Sequence, residues 1–79
     1  MTGAARVIEV VASVLVDRPK AIEVHEAVEQ NALRVTIACA PDDIGKLIGR
    51  QGRTVAAIRT LAELSNDEEE RRVLIDFLD

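Results

Sequence analysis

The sequence predicts an α+β fold: a three-stranded mixed sheet with three helices on one face. Three observations lead there. Apolar residues recur at helical spacing near the N-terminus and again on both sides of a glycine pair. They alternate with polar residues in three other stretches. The glycine pair then breaks the helical pattern in the middle, at Gly49 and Gly52. The expected order is helix, strand, strand, short helix, glycine turn, helix, strand.

The first helix is expected over 4–16. Its valines favour strand, but Arg6, Glu9, Ser13 and Asp17 recur every three or four positions, giving a narrow wet stripe and a wide apolar face. Pro19 stops the pattern. A hairpin is expected over 21–39. Ile22, Val24 and Val28 oppose Glu23 and His25, and Leu33, Val35, Ile37 and Cys39 oppose Arg34 and Thr36, with Gln30 and Asn31 as the link. A helix–turn–helix follows over 42–64. Pro41 suits a first helical position, and Asp42 and Asp43 complement the positive end of the dipole. Ile44, Leu47 and Ile48 form the buried face of the short helix, which Gly49 ends. Val55, Ile58, Leu61 and Ala62 make the apolar stripe of the next. Beyond the acidic connector "SNDEEE", Val73, Ile75 and Phe77 share one face of a last strand over 71–78. That strand is reached through two helices, so a right-handed crossover beside the second strand is expected.

At 79 residues the chain has room for one small domain, 1–79. Such a domain buries only about 60% of its unfolded surface. Cys39 is the sole cysteine, which excludes an intrachain disulfide and suits a reducing, cytoplasmic setting. The N-terminus lacks the pattern of a secretory signal, and Arg6, Glu9 and Ser13 interrupt an apolar stretch too short to cross a bilayer. The expectation is a soluble protein without a membrane.

A net charge of −4 argues against a generic polyanion binder. The distribution argues differently. Between Ile44 and Ala62 the charged residues are Lys46, Arg50, Arg53 and Arg59, with no acid among them. That window carries +4 and the rest of the chain −8, so the positive charge is gathered around the glycine pair. Glycine lacks a β-carbon, so Gly49 can take backbone conformations closed to other residues, and Gly52 lets another backbone approach. Gly52 also opens a helix, whose unpaired N–H groups and dipole attract an anion. A phosphate resting there would gain charge from Lys46, Arg50 and Arg53 and a hydrogen bond from Gln51. The bland alternative is a tight helix–turn–helix joint with solvated Arg and Gln side chains.

The stretch "IGKLIGRQGRTVAAI" resembles the signature of KH domains, in which an apolar residue, here Ile48, precedes a Gly-x-x-Gly loop between two helices. With a helix and strand placed before the core, the layout is similar to the prokaryotic type II arrangement. In length it is closest to the small bacterial single-KH proteins of the KhpA type. The resemblance implies single-stranded RNA as the ligand, with Lys46, Gly49, Arg50, Gln51, Gly52, Arg53 and Arg59 as the RNA-binding residues and about four nucleotides held by the loop. It implies an RNA-chaperone or post-transcriptional role tied to cell shape and envelope growth. Self-association into a homodimer and pairing with a larger KH-containing protein are implied as well. With about three phosphate contacts, a salt slope of roughly −2 is expected. There is no Trp or Tyr and Phe77 reads as core, so stacking contributes little and binding is expected to be weak and sequence-tolerant. The alternative function is a KH-fold interaction or dimerisation module with little RNA binding of its own.

Nothing in the sequence assembles an enzyme. His25 stands alone on a hydrophilic strand face without a nucleophile beside it, and one His with one Cys gives no metal-site spacing and no cofactor. Cys39 reads as a small core residue, and Glu68, Glu69 and Glu70 as a solvated turn. The first helix has more apolar surface than one core requires. Val10, Val14 or Val16 is left exposed for a dimer contact, unless a small domain simply wraps the helix.

Overall fold

The computed structural model describes residues 1–66 and 72–78. Helix α1 runs Gly3–Leu15, and the hairpin strands are β1, Glu23–Glu29, and β2, Ala32–Ala38. The short helix α2, Ile44–Ile48, and the longer α3, Arg53–Leu64, flank the glycine turn, and β3 covers Arg72–Leu78. Single 3-10 turns precede β1 at Pro19–Ala21 and α2 at Pro41–Asp43. Both open on proline, whose fixed φ suits a first helical position and whose missing N–H leaves no donor unsatisfied there. The acidic run of residues 67–71, with the expected solvated turn of Glu68 to Glu70, lies outside the described residues.

The sheet order is β1-β2-β3. Strand β2 pairs antiparallel with β1, Val24 facing Ile37, and parallel with β3, Leu33 facing Val73. Parallel partners require a long connection, and α2 with α3 supply it. Period two then sorts the side chains. Leu33, Val35, Ile37 and Val73 are buried on one face, where Ile8 of α1, Leu47 of α2 and Ile58 of α3 complete a single apolar cluster. The opposite face is polar. There Arg34 bonds Glu29, 3.1 Å from Nε to Oε2, and also Asp76, so one guanidinium spans all three strands. His25 sits exposed on that face opposite Thr36.

Thr2 caps α1 in the manner a threonine can: its Oγ1 accepts from the Ala5 N–H at 3.1 Å. The same hydroxyl donates to Glu26 of β1 at 2.7 Å, which pins the helix entry to the sheet. The Thr2 hydroxyl is the leading cause that holds the Glu26 carboxyl below its ordinary value of 4.5.

Several side chains depart from the sequence expectation. Val16 is buried, while Val10 and Val14 are 56% and 78% exposed. The helix ends at Leu15, and Val16, extended at φ −92° and ψ 161°, turns into the core instead of continuing the helical stripe. Val28 is exposed on the edge strand β1 although its cross-strand partner Leu33 on the central strand is fully buried, so cover at this level stops short of the sheet edge. Leu61 is 47% exposed because the true buried stripe of α3 is Ile58 and Ala62. Cys39 falls one residue past β2 and is half-buried against the core. Burial first, and the nearby Asp43 charge second, push its thiol above the ordinary value.

Leu47 has no exposed surface and belongs to a helix of one and a half turns. Leu47→Ala is expected to cost about 2–5 kcal/mol in urea denaturation. Leu64→Ala, at an exposed position, is expected to stay within about 0.5 kcal/mol.

Candidate nucleic-acid interface

The turn between α2 and α3 carries the three positive φ angles of the described residues: Gly49 at 77°, Gln51 at 57° and Gly52 at 72°. The two glycines are needed for different reasons. A β-carbon on Gly49 would lie 2.2 Å from Thr54 Oγ1 and 2.8 Å from the Thr54 N, so φ and close packing both exclude it. At Gly52 a β-carbon would meet nothing within 4 Å, and only the left-handed backbone favours glycine. Gln51 has no such freedom, and its left-handed conformation stores strain of the kind that clusters in ligand-contacting turns.

Two hydrogen bonds close the turn. Gly49 N–H donates to Gly45 O at 2.9 Å, and Gly52 N–H donates to Gly49 O at 3.1 Å. The Arg53 N–H then bonds Arg50 O. The expectation of an open donor where Gly52 begins the next helix is therefore corrected: that N–H is consumed within the turn. Among the described residues, no side chain hydrogen bonds a main-chain amide of residues 49–52, so the outer surface of the turn is uncovered. Gly52, as the N-cap of α3, supplies no side-chain cap, and the positive end of the α3 dipole faces outward.

The side chains stand around this surface unevenly. Arg50, Gln51 and Arg53 are exposed at the turn, and Arg53 Nη2 donates to Gln51 Oε1 at 3.3 Å. The Arg50 side chain makes no hydrogen bond or ion pair among the described residues. Arg59 is exposed about 9 Å further along α3, from the helical rise, and roughly 120° around it. It is a neighbour of the turn rather than part of it.

Lys46 is differently employed. Its ammonium donates to Asp17, beyond the end of α1, and to Asp43 Oδ1 at 3.2 Å. Those bonds, Asp17 first, hold it above its ordinary value of 10.5. Asp43 is buried at 1% exposure and also accepts the Asp17 and Arg18 N–H groups, at 3.2 and 3.1 Å. Burial pushes the Asp43 carboxyl up, but the two main-chain donors and Lys46 outweigh it and leave the group below its ordinary 3.8. The sequence alone places Asp43 as helix-start charge. The structure makes it a tie between the chain leaving α1 and the start of α2, with no capping bond of its own to α2. The spacing of Asp43 and Lys46 hints at their pairing, whereas nothing local announces a partner 29 residues upstream.

Comparison with known proteins bears on this geometry. A family profile described as "KhpA/KhpB, KH domain" matches residues 5–77. The chain belongs to the KhpA/KhpB KH-domain family. This is not an enzyme family. The match spans α1 to β3, so the helix–turn–helix and the sheet beneath it are both family features. Similar curated relatives include the "RNA-binding protein KhpA" of Caldanaerobacter subterraneus subsp. tengcongensis, 38% identical over 90% of this chain and 95% of that protein. Those of Clostridium perfringens and Chlamydia muridarum are 32% identical over 90% and 95%, and 35% over 82% and 83%. Among the described residues, no helix is long and apolar enough to cross a membrane, and no group of His, Cys, Asp and Glu could hold a metal ion.

Two stability measurements check this site. Gly52→Ala is expected to cost about 1–2 kcal/mol in urea denaturation, the left-handed penalty alone, and Gly49→Ala clearly more because the backbone of α3 must move. Asp43 should also give an acid limb. Its folded pKa is depressed, so its stabilisation is fully present above the unfolded value and is lost as pH falls through the folded one. Asp43→Asn is expected to flatten that limb of the stability profile relative to the parent, leaving the part due to Glu26.

Proposed function

We propose that this protein binds single-stranded RNA at the turn formed by Gly49, Arg50, Gln51, Gly52 and Arg53, with Arg59 contacting a neighbouring phosphate. The observation that carries the reading is an uncovered turn at the positive end of α3, flanked by two exposed guanidinium groups, inside a window free of acids. The names of the relatives support RNA as the ligand. Charge on Arg50 and Arg53 holds the backbone, and the strained Gln51 presents its amide to sugar or phosphate. Ile44, Ile48 and Val55 are half-buried next to the turn and offer aliphatic surface to bases laid toward β2. Phe77 is half-buried against the core on the helix-covered face, so stacking on an aromatic ring contributes little. Binding is weak and tolerant of sequence.

On the family resemblance, the proposal extends to a cytoplasmic RNA chaperone or post-transcriptional regulator linked to cell shape and envelope homeostasis. The same resemblance supports self-association and pairing with a larger KH-containing protein. A second reading, an interaction module with little RNA binding, is favoured by one feature of α1. Val7, Val10 and Val11, together with Gly3, Arg6 and Ser65, line an open apolar groove of about 530 Å³ on the side of the molecule formed by α1 and the end of α3.

One variant separates the readings. Arg50→Asp with Gln51→Asp, verified as folded by its thermal melt, is expected to lose at least tenfold in affinity for a single-stranded RNA oligonucleotide. Its salt slope is expected to fall by about 0.7 for the lost phosphate contact. Unchanged affinity and slope would remove the turn as the seat of binding, and self-association preserved in sedimentation would then favour the interaction module.

A further inference from the structure

Positive charge in the basic window is not equally available. Among the described residues, the Arg50 and Arg59 side chains are exposed without a hydrogen-bond or ion-pair partner, and the Arg53 guanidinium hydrogen-bonds Gln51 alone. Lys46, one turn of helix before Gly49, is among the described residues the one base of that window engaged by carboxylates, and the two carboxylates differ. Asp43 is buried and already occupied by two main-chain N–H groups, so its charge is needed whether or not Lys46 is present. Asp17 is the opposite case. Its side chain is 78% exposed, and its carboxylate bonds nothing but Lys46 among the described residues. Fold stability gives little reason for that bond, because an exposed pair of this kind contributes about 0–1 kcal/mol. Together with Asp43, that bond holds the Lys46 ammonium toward the chain leaving α1.

We propose that Asp17 is an electrostatic restraint on the RNA site: it holds Lys46 back from the phosphate backbone and so keeps binding weak. The proposal rests on the turn being the RNA seat. It adds that Lys46 is a latent phosphate contact held by both Asp17 and the buried Asp43, and that Asp17 is the exposed half of that hold, whose removal loosens it. On α2, Lys46 lies next to the side that carries Gly45 and Gly49 and opposite the apolar side of Ile44, Leu47 and Ile48. An ammonium freed of Asp17 keeps Asp43 as its neighbour but gains the freedom of a flexible four-carbon stem to swing toward a phosphate bound at Gly49. Competition between a carboxylate of this chain and the phosphates of RNA is a matter of a few-fold in affinity, which is the range in which a weak, sequence-tolerant binder is tuned.

The test is a double-mutant cycle on the full chain, using one single-stranded RNA oligonucleotide titrated at three salt concentrations. Asp17→Asn is expected to tighten binding about two- to fivefold, the worth of an exposed ion pair, and to steepen the salt slope by about 0.7, one additional phosphate. In a Lys46→Met background, which keeps the aliphatic stem, the same substitution is expected to give neither change. Asp42→Asn is the charge-matched control. It removes the same unit of charge from an exposed neighbour of the site that does not bond Lys46, and it is expected to leave the slope as it was. A gain from Asp17→Asn that persists without Lys46, or that Asp42→Asn reproduces in full, would reduce the effect to net charge and overturn the proposal. No gain at all would overturn it equally. The cycle reports on Lys46 alone, whereas Arg50→Asp with Gln51→Asp reports on the turn, so the two readings fail separately.

Discussion

The contact on which the site depends is the one between Gly49 and Thr54. A main chain at φ 77° brings the end of α2 against the first turn of α3 so closely that a single added carbon would strike both the Thr54 side chain and its backbone N. That contact fixes the angle between the two helices. Left-handed backbone at Gly49 and Gly52 is cheap, and at Gln51 it is costly. The chain accepts strain at the one position of the three whose side chain has something to offer a ligand.

Asp43 does the complementary work from below. Burying a carboxylate is unfavourable unless its lone pairs are filled, and here two main-chain donors and an ammonium fill them. The result ties the connection after α1 to the start of α2, a helix too short to hold its place by its own hydrogen bonds. Leu47 anchors the same helix from the apolar side. A five-residue helix thus carries the turn because a buried charge and a buried leucine hold its two sides.

The fold was legible because its periodicities are clean where burial is deep. Leu33, Val35 and Ile37 alternate into the core, and Ile58 and Ala62 follow helical spacing. Errors fell where elements run past their cover. Val28 obeys the strand period but sits on the edge strand, and Leu61 obeys the helical period at the margin of the packed face. Periodicity reports which way a side chain points, and only the neighbouring elements determine whether anything meets it. At the site, the glycine pair and its basic neighbours were visible in composition alone. The separation of Lys46 from Arg50 and Arg53 was not, because it depends on Asp17, which the fold brings in from the far end of α1.

The parallel pairing of β2 with β3 has a kinetic consequence. Ala32 lies beside Arg72, so this ladder closes a loop of about forty residues that contains both helices and the turn. Contacts of such separation form late, after the entropy of closing the loop has been lost. The hairpin and the helical corner can gather locally, but the corner acquires a fixed place over the sheet only when the last strand docks.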